Sequence, residues 1–101
     1  MILNVLDRVT LLGVLPEQGD FVTLKIVRQL RESLSFTEEE LRELKITQSE
    51  DRINWNPSAD KGKEIQIGEK ATDIIVASLK QLNDQKKLTQ QHYDLYEKFC
   101  G

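Results

Sequence analysis

The chain has 101 residues, of which 39% are hydrophobic and 31% charged, and its formal net charge at pH 7 is −3. This length fits one domain with a real core, and the composition is that of a globular protein rather than a disordered one. A net negative charge with mixed signs gives no broad positive field to attract a phosphate backbone, so nucleic-acid binding is disfavoured.

The start of the chain predicts neither a signal peptide nor a membrane span. Its apolar run contains Asp7 and Arg8, and no basic segment precedes the run. We therefore expect a cytoplasmic protein that does not enter a membrane. The one cysteine, Cys100, has no second cysteine with which to form an internal disulfide.

Two helices are predicted before residue 35. The first is amphipathic and ends near Gly13 and the Leu15–Pro16 turn. Its apolar positions are Ile2, Val5, Leu6, Val9 and Leu12.

Asp20 is placed to cap the second helix. The apolar positions of that helix are Thr23, Ile26, Val27, Leu30 and Leu34, with Phe21, Val22 and Leu24 beside them at its start. A face this wide predicts burial against more than one neighbour.

The sharpest local signal is the start of a third helix within Phe36–Leu41. Thr37 precedes the helix and Glu40 follows three residues later, so each side chain can accept a hydrogen bond from the other residue's free backbone N–H. Glu38 and Glu39 complete an acidic first turn, where carboxylates stabilise the positive end of the helix dipole. Capping therefore explains the acidic triplet without a metal ion.

The middle of the chain changes from helical spacing to the alternation of strands. Lys45–Ser49 and Arg52–Asn56 are predicted to be two strands joined by a tight turn at Glu50–Asp51. Lys63–Ile67 alternates again, after a polar loop, and is predicted to be a third strand. The sequence thus predicts an α+β fold in which about five helices pack on a small three-stranded antiparallel sheet, as one domain over residues 1–101.

The last two predicted helices follow Gly68, which ends the third strand. Apolar residues recur at helical spacing from Ala71 to Leu82, and Thr89 is placed to cap the final helix. The inner face of that final helix is predicted to be His92, Leu95, Tyr96 and Phe99.

No catalytic, metal-binding, cofactor-binding or phosphate-binding signature is present. His92 and Cys100 are each the only residue of their type and lie about two turns apart on one helix, which does not suit a nucleophile–base pair. Ala59–Lys63 holds one glycine and lacks the rest of a P-loop. We expect a protein that is not an enzyme and needs no cofactor.

Two surfaces are candidates for binding. A three-stranded sheet leaves an edge and a polar face open, where a protein partner could dock. The candidate partner-binding residues are Thr47, Gln48, Arg52, Asn54 and Trp55, of which Trp55 alternatively belongs to the core. The candidate anion-binding residues are Lys25, Arg28 and Arg31, which share one side of the second helix and are alternatively a solvated face.

Two stretches, Gly19–Arg28 and Gly68–Ile75, resemble small uncharacterised accessory proteins of bacteriophages or prophages. The resemblance implies a compact intracellular protein, located in the host cytoplasm if a phage encodes it. Such a protein would occupy a surface of a host or viral protein, or join a particle under assembly. The resemblance offers no catalytic motif.

The favoured function is non-enzymatic protein binding, with self-association into a homo-oligomer through a helix face where apolar area stays uncovered. One alternative is a small nucleic-acid-binding regulator that uses Lys25, Arg28 and Arg31. Another is a ligand-binding protein or small enzyme with a pocket near His92.

Overall fold

A computed structural model describes residues 1–49 and 52–101 of the chain. Within them the fold is mixed α+β and dominated by helices. The helices are α1 (Val5–Val14), α2 (Phe21–Leu34), α3 (Glu38–Leu44), α4 (Glu69–Asp84) and α5 (Gln90–Cys100). The strands are β1 (Ile2–Leu3), β2 (Thr47–Ser49), β3 (Arg52–Asn54) and β4 (Lys63–Glu64), and a turn of 3-10 helix covers Pro57–Ala59. The predicted turn at Glu50–Asp51 lies outside the described residues.

The described strands form two separate two-stranded antiparallel sheets, so the predicted three-stranded sheet is wrong. β2 pairs with β3 as the sequence predicts, with Thr47 opposite Asn54. β4 pairs instead with β1, a two-residue strand that the periodicity assigns to the first helix. Beyond β4, the Ile65 N–H donates to the Met1 carbonyl at 2.9 Å, and the Met1 amino group donates to the Ile65 carbonyl at 3.1 Å. The third predicted strand therefore finds its partner at the start of the chain.

The pairing of β1 with β4 requires a close approach at Gly62. Its φ of 79° lies in the left-handed region, and a Cβ at this position would be 2.6 Å from Cγ2 of Ile2. Glycine meets both requirements without strain. Regular pairing covers only Lys63–Glu64 of the predicted Lys63–Ile67 strand, after which Ile65 enters the core.

The predicted helix starts are confirmed at the level of individual hydrogen bonds. The Asp20 carboxylate accepts from a first-turn backbone N–H of α2 at 2.7 Å, which lowers the pKa of that carboxyl. Thr37 and Glu40 form the reciprocal capping box of α3, both bonds at 3.1 Å. At α5 the Thr89 N–H donates to Nδ1 of His92 at 3.0 Å, so a histidine takes the place of the usual glutamate.

α1 is the central helix and contacts α2, α4 and α5. It is not simply amphipathic, because Asp7, Arg8 and Thr10 are buried along with Val5 and Leu11, whereas Leu6 is exposed. The core around it is formed by Leu3, Leu11, Leu15, Val27, Leu30, Leu34, Ile65, Ala71, Ile75, Leu79 and Leu95. None of the helices in the described part of the chain is long and apolar enough to cross a membrane.

Candidate functional site

The β2–β3 hairpin carries the predicted partner-binding residues. Of these, Thr47, Gln48, Arg52 and Asn54 are exposed and Trp55 is half-buried. The Asn56 N–H donates to the Leu44 carbonyl at 2.8 Å and ties the base of the hairpin to the end of α3. Among the described elements, the two strands make extensive contact only with each other. The hairpin is thus an appendage of the helical body.

The predicted hairpin residues do not share one face. Successive side chains of a strand point to opposite sides, and the register places Thr47 opposite Asn54 and Gln48 opposite Ile53. Thr47, Asn54 and Arg52 therefore lie on one face, while Gln48 and Ile53 lie on the other. The structure brings together three of the four polar residues and leaves Trp55 between core and surface.

The basic residues predicted to bind an anion lie on the outer side of α2. Lys25 and Arg28 are exposed and Arg31 is half-buried. None of the three pairs with a carboxylate among the described residues. Arg28 and Arg31 also border a shallow groove of about 300 Å³, together with Leu24 and Glu17. The three basic side chains therefore lie on one side of α2, and none of them forms an ion pair with another described residue.

The first turn of α2 exposes the apolar side chains that the sequence predicts to be buried. The exposed fractions are 81% for Phe21, 58% for Val22 and 40% for Leu24. The buried residues of α2 are Val27, Leu30 and Leu34. α2 packs on both α1 and α4, so the predicted burial against more than one neighbour is confirmed. The predicted width of the buried face is wrong, because Phe21, Val22 and Leu24 lie outside it. Apolarity alone could not distinguish a wide core face from a partly exposed one.

These two features adjoin on one helix surface, which we call the α2 patch. It comprises Phe21, Val22, Leu24, Lys25, Arg28 and Arg31. Phe21 lies one helical turn before Lys25, and Leu24 lies one turn before Arg28. The patch is therefore apolar at its start and basic over the following turns. From Phe21 to Arg31 it spans about 15 Å along the helix axis.

A buried polar cluster around Arg8 was not predictable from the sequence pattern. Nε of Arg8 donates to the Leu34 carbonyl at 3.1 Å, and Nη2 donates to the Ser35 carbonyl at 2.8 Å. The guanidinium also bonds both carboxylate oxygens of Glu40 and stacks on the Phe36 ring at 4.0 Å. This bonding by Arg8 holds the pKa of Glu40 at about 2, below its ordinary 4.5. The cluster joins α1 to the α2–α3 connection and has a structural role.

The residues with catalytic potential are held in local structural roles. His92 uses Nδ1 in the α5 cap described above. Cys100 is half-buried with its Sγ 4.0 Å from the Val76 carbonyl, and burial raises the pKa of its thiol. Within the described residues, no group of three or more His, Cys, Asp or Glu side chains is placed to hold a metal ion.

A second groove, of about 450 Å³, lies between α2 and the start of α4. Its apolar floor includes Ile26, Leu30 and Ala71, and its rim carries Glu69 and Lys70. His92 is not part of its wall. The groove therefore does not provide the pocket near His92 that the ligand-binding alternative requires.

Comparisons of the chain with protein-family models, with curated proteins and with solved structures find no match. The resemblance to phage and prophage accessory proteins stays a prediction. The chemistry of the surfaces described above is accordingly the basis for a functional proposal.

Proposed function

We propose that this protein is a non-enzymatic protein-binding module that engages its partner through the α2 patch. The observation that carries the proposal is the exposure of Phe21 on a helix whose opposite side forms part of the core. Burying a large apolar side chain contributes about 1.5–3 kcal/mol of favourable free energy, and the folded chain gains little of it at Phe21 because that side chain contacts solvent. A partner surface would supply it.

The neighbours of Phe21 support an interface rather than a single exposed side chain. Scattered exposed apolar residues are normal, but Val22 and Leu24 extend the exposed apolar surface within the same turn. Arg28 and Arg31 follow directly along the helix. Aromatic and arginine side chains are the residues enriched in the energetic centres of protein interfaces.

The α2 patch is held in place before any partner arrives. The Asp20 cap fixes the start of α2, and the buried side of the helix anchors it to the core through Val27 and Leu30. A rigid surface loses less conformational entropy on binding than a loop does. The patch can therefore present its side chains in one fixed arrangement.

The hairpin surface predicted from the sequence remains the competing docking site. Its exposed residues are polar, and its one tryptophan, Trp55, is half-buried. Neither Ile53 nor Trp55 is among the exposed large apolar side chains, whereas Phe21, Val22 and Leu24 of the α2 patch are. In the setting that the phage resemblance implies, the partner on either surface would be a host or viral protein, or a subunit of an assembling particle.

Site-specific photo-crosslinking tests the proposal. A benzophenone amino acid is placed at Phe21, at Arg52 in the hairpin and at Asp73, an exposed control position on α4. In lysate of the native host we expect a discrete protein adduct from the Phe21 position alone. Unlabelled wild type should compete the adduct away, and Phe21→Ser should not.

Two results would contradict the proposal. An adduct from Arg52 with none from Phe21 would assign binding to the hairpin instead. Equal or absent labelling at Phe21 and at the Asp73 control would remove the α2 patch as a binding surface.

A further inference from the structure

Given the proposed function, on which this step rests, we infer that the α2 patch binds an acidic segment of a partner protein that also presents apolar side chains. The patch joins an uncovered apolar turn to a row of cations. A partner that covers both must bring apolar groups and carboxylates in the same order.

The cations of the patch are available for an external partner. None of Lys25, Arg28 and Arg31 has an ion-pair partner among the described residues. Attraction to the helix dipole accounts only for Arg31, which is in the last turn of α2. Lys25 and Arg28 are in the middle of the helix, where the dipole gives little stabilisation.

Carboxylates near the patch do not neutralise it by contact. Glu32 is the one acidic residue within the outward surface of α2, and Glu17 borders the adjoining groove. The Asp20 carboxylate is engaged in the helix cap. The three cations therefore outnumber the carboxylate of their own helix, in a protein whose net charge is −3. The positive character is local, and it is strongest at contact range because salt screens charges beyond about 8 Å.

The order of the side chains defines the complementary segment. Its apolar residues would cover Phe21 and Leu24, and its carboxylates would lie one to two turns further along the axis of α2. Arginine guanidinium groups bind carboxylates through paired hydrogen bonds, so Arg28 and Arg31 can fix the register of such a segment. A segment of about 15 Å would match the length of the patch.

A second copy of the chain fits the α2 patch less well. A two-fold pair of α2 patches would place cations of one copy near cations of the other, and like charges across an interface are unfavourable. Nucleic acid and anionic bilayers also fit less well. Both extend beyond the patch and would meet the surface of a protein with net charge −3. A short acidic segment avoids that repulsion.

Selection from a displayed library of random peptides of about 16 residues tests the chemistry with a defined probe, because such a peptide can span the patch as a helix. The library is selected on the intact wild-type protein and, in parallel, on the charge-reversed variant K25E/R28E/R31E. Circular dichroism and urea unfolding verify that the variant is folded. We expect peptides that combine several carboxylates with large apolar residues to be enriched on the wild type alone.

The affinity of one enriched peptide, synthesised and labelled, then gives the quantitative test. We expect its Kd to rise about tenfold or more on K25E/R28E/R31E and on Phe21→Ser, because charge and apolar contacts both contribute. The charge-conserving variant K25R should stay within about threefold of wild type, since the positive charge is preserved and both arginines remain in place. Raising the salt concentration should weaken binding to the wild type.

Several results would overturn the inference. These are enrichment of neutral or basic peptides, equal enrichment of acidic peptides on the charge-reversed variant, and no enrichment on the wild type. Tighter binding to phosphatidylserine-containing vesicles or to a DNA duplex than to the selected peptide would assign the cations to those ligands. A protein adduct at Phe21 together with any of these results would leave the proposed function standing.

Discussion

α1 and α2 both depart from the usual burial of apolar and exposure of polar side chains, but in opposite ways. α1 buries Asp7, Arg8 and Thr10, each at most 4% exposed, whereas α2 leaves Phe21 81% exposed. The buried polar groups are all satisfied, because no buried side-chain nitrogen or oxygen in the described residues lacks a hydrogen-bond partner. The exposed apolar groups are not covered. Unusual residues in α1 thus hold the fold together, while unusual residues in α2 are free to meet another molecule.

The buried polar residues of α1 join that helix to two other parts of the chain. The Asp7 carboxylate accepts from Nζ of Lys98 at 2.6 Å, and Thr10 Oγ1 accepts from Nε2 of Gln91 at 2.9 Å. Both bonds lead to α5. Arg8 leads the other way, to the connection between α2 and α3. Removing the donor to a buried acceptor, as loss of Lys98 would do at Asp7, is costly because the buried acceptor loses a hydrogen bond.

Arg8→Met should give the largest effect on stability. The substitution keeps most of the side-chain volume but removes the Arg8 donors to the Leu34 and Ser35 carbonyls. It leaves the Glu40 carboxylate with only the Thr37 N–H and Nζ of Lys63 as donors. Breaking a buried charged pair in this way costs about 3–5 kcal/mol of the free energy of unfolding. Urea unfolding at pH 7 measures it. The matched control is Arg52→Met on the exposed hairpin, for which we expect a change within about 0.5 kcal/mol. Equal stability of the two variants would contradict the structural role of the Arg8 cluster.

The sequence predicted those features that depend on neighbours along the chain. The Thr37 and Glu40 capping box and the Asp20 cap are local, because in each the two hydrogen-bonded residues are three positions apart in the sequence. The hairpin was predictable for the same reason. The partner of Ile65 was not, because it is Met1 at the other end of the chain and the β1 strand is only two residues long.

Burial was the feature that periodicity predicted least well. A helical pattern shows which residues share a side, but it does not show how many neighbours cover the helix. Arg8 looks like a solvent-facing residue in an amphipathic helix, yet three helices surround α1. Phe21 looks like a core residue, yet the neighbours of α2 do not cover its first turn. Half of the α2 patch, the cations Lys25, Arg28 and Arg31, was therefore predicted as a candidate site, and its apolar half was not.

Lowering the pH should remove the contribution of the ionised Glu40 carboxylate to the free energy of unfolding, and this separates it from the other contacts of the Arg8 cluster. Because the pKa of Glu40 is lowered from 4.5 to about 2 in the folded state, its stabilisation is complete above about pH 4.5. It declines as the pH falls towards 2. Hydrogen bonds to charged groups contribute about 1.5–3 kcal/mol, so Glu40→Gln should lose about this much free energy of unfolding at pH 7.

The difference between wild type and Glu40→Gln should shrink between about pH 4.5 and 2, as urea unfolding at a series of pH values would show. Glutamine can still accept the capping hydrogen bond from Thr37, so the variant isolates the charge. Glu39→Gln, an exposed neighbour in the same helix, is the control. A difference that stays constant with pH would contradict the ion pairs of Glu40 with Arg8 and Lys63.

Phe21→Ser should have the smallest effect on stability, although it removes the largest exposed apolar side chain of α2. A side chain that contacts solvent in the folded chain loses little burial free energy when truncated, so we expect a change within about 0.5 kcal/mol. Leu95→Ala, at a fully buried position of α5, should cost about 2–5 kcal/mol in the same urea experiment. A loss at Phe21 comparable to that at Leu95 would mean that Phe21 is covered in solution, by this chain or by a second copy. Repeating the measurement over a range of protein concentrations separates those two cases, because only self-association makes the unfolding midpoint depend on concentration.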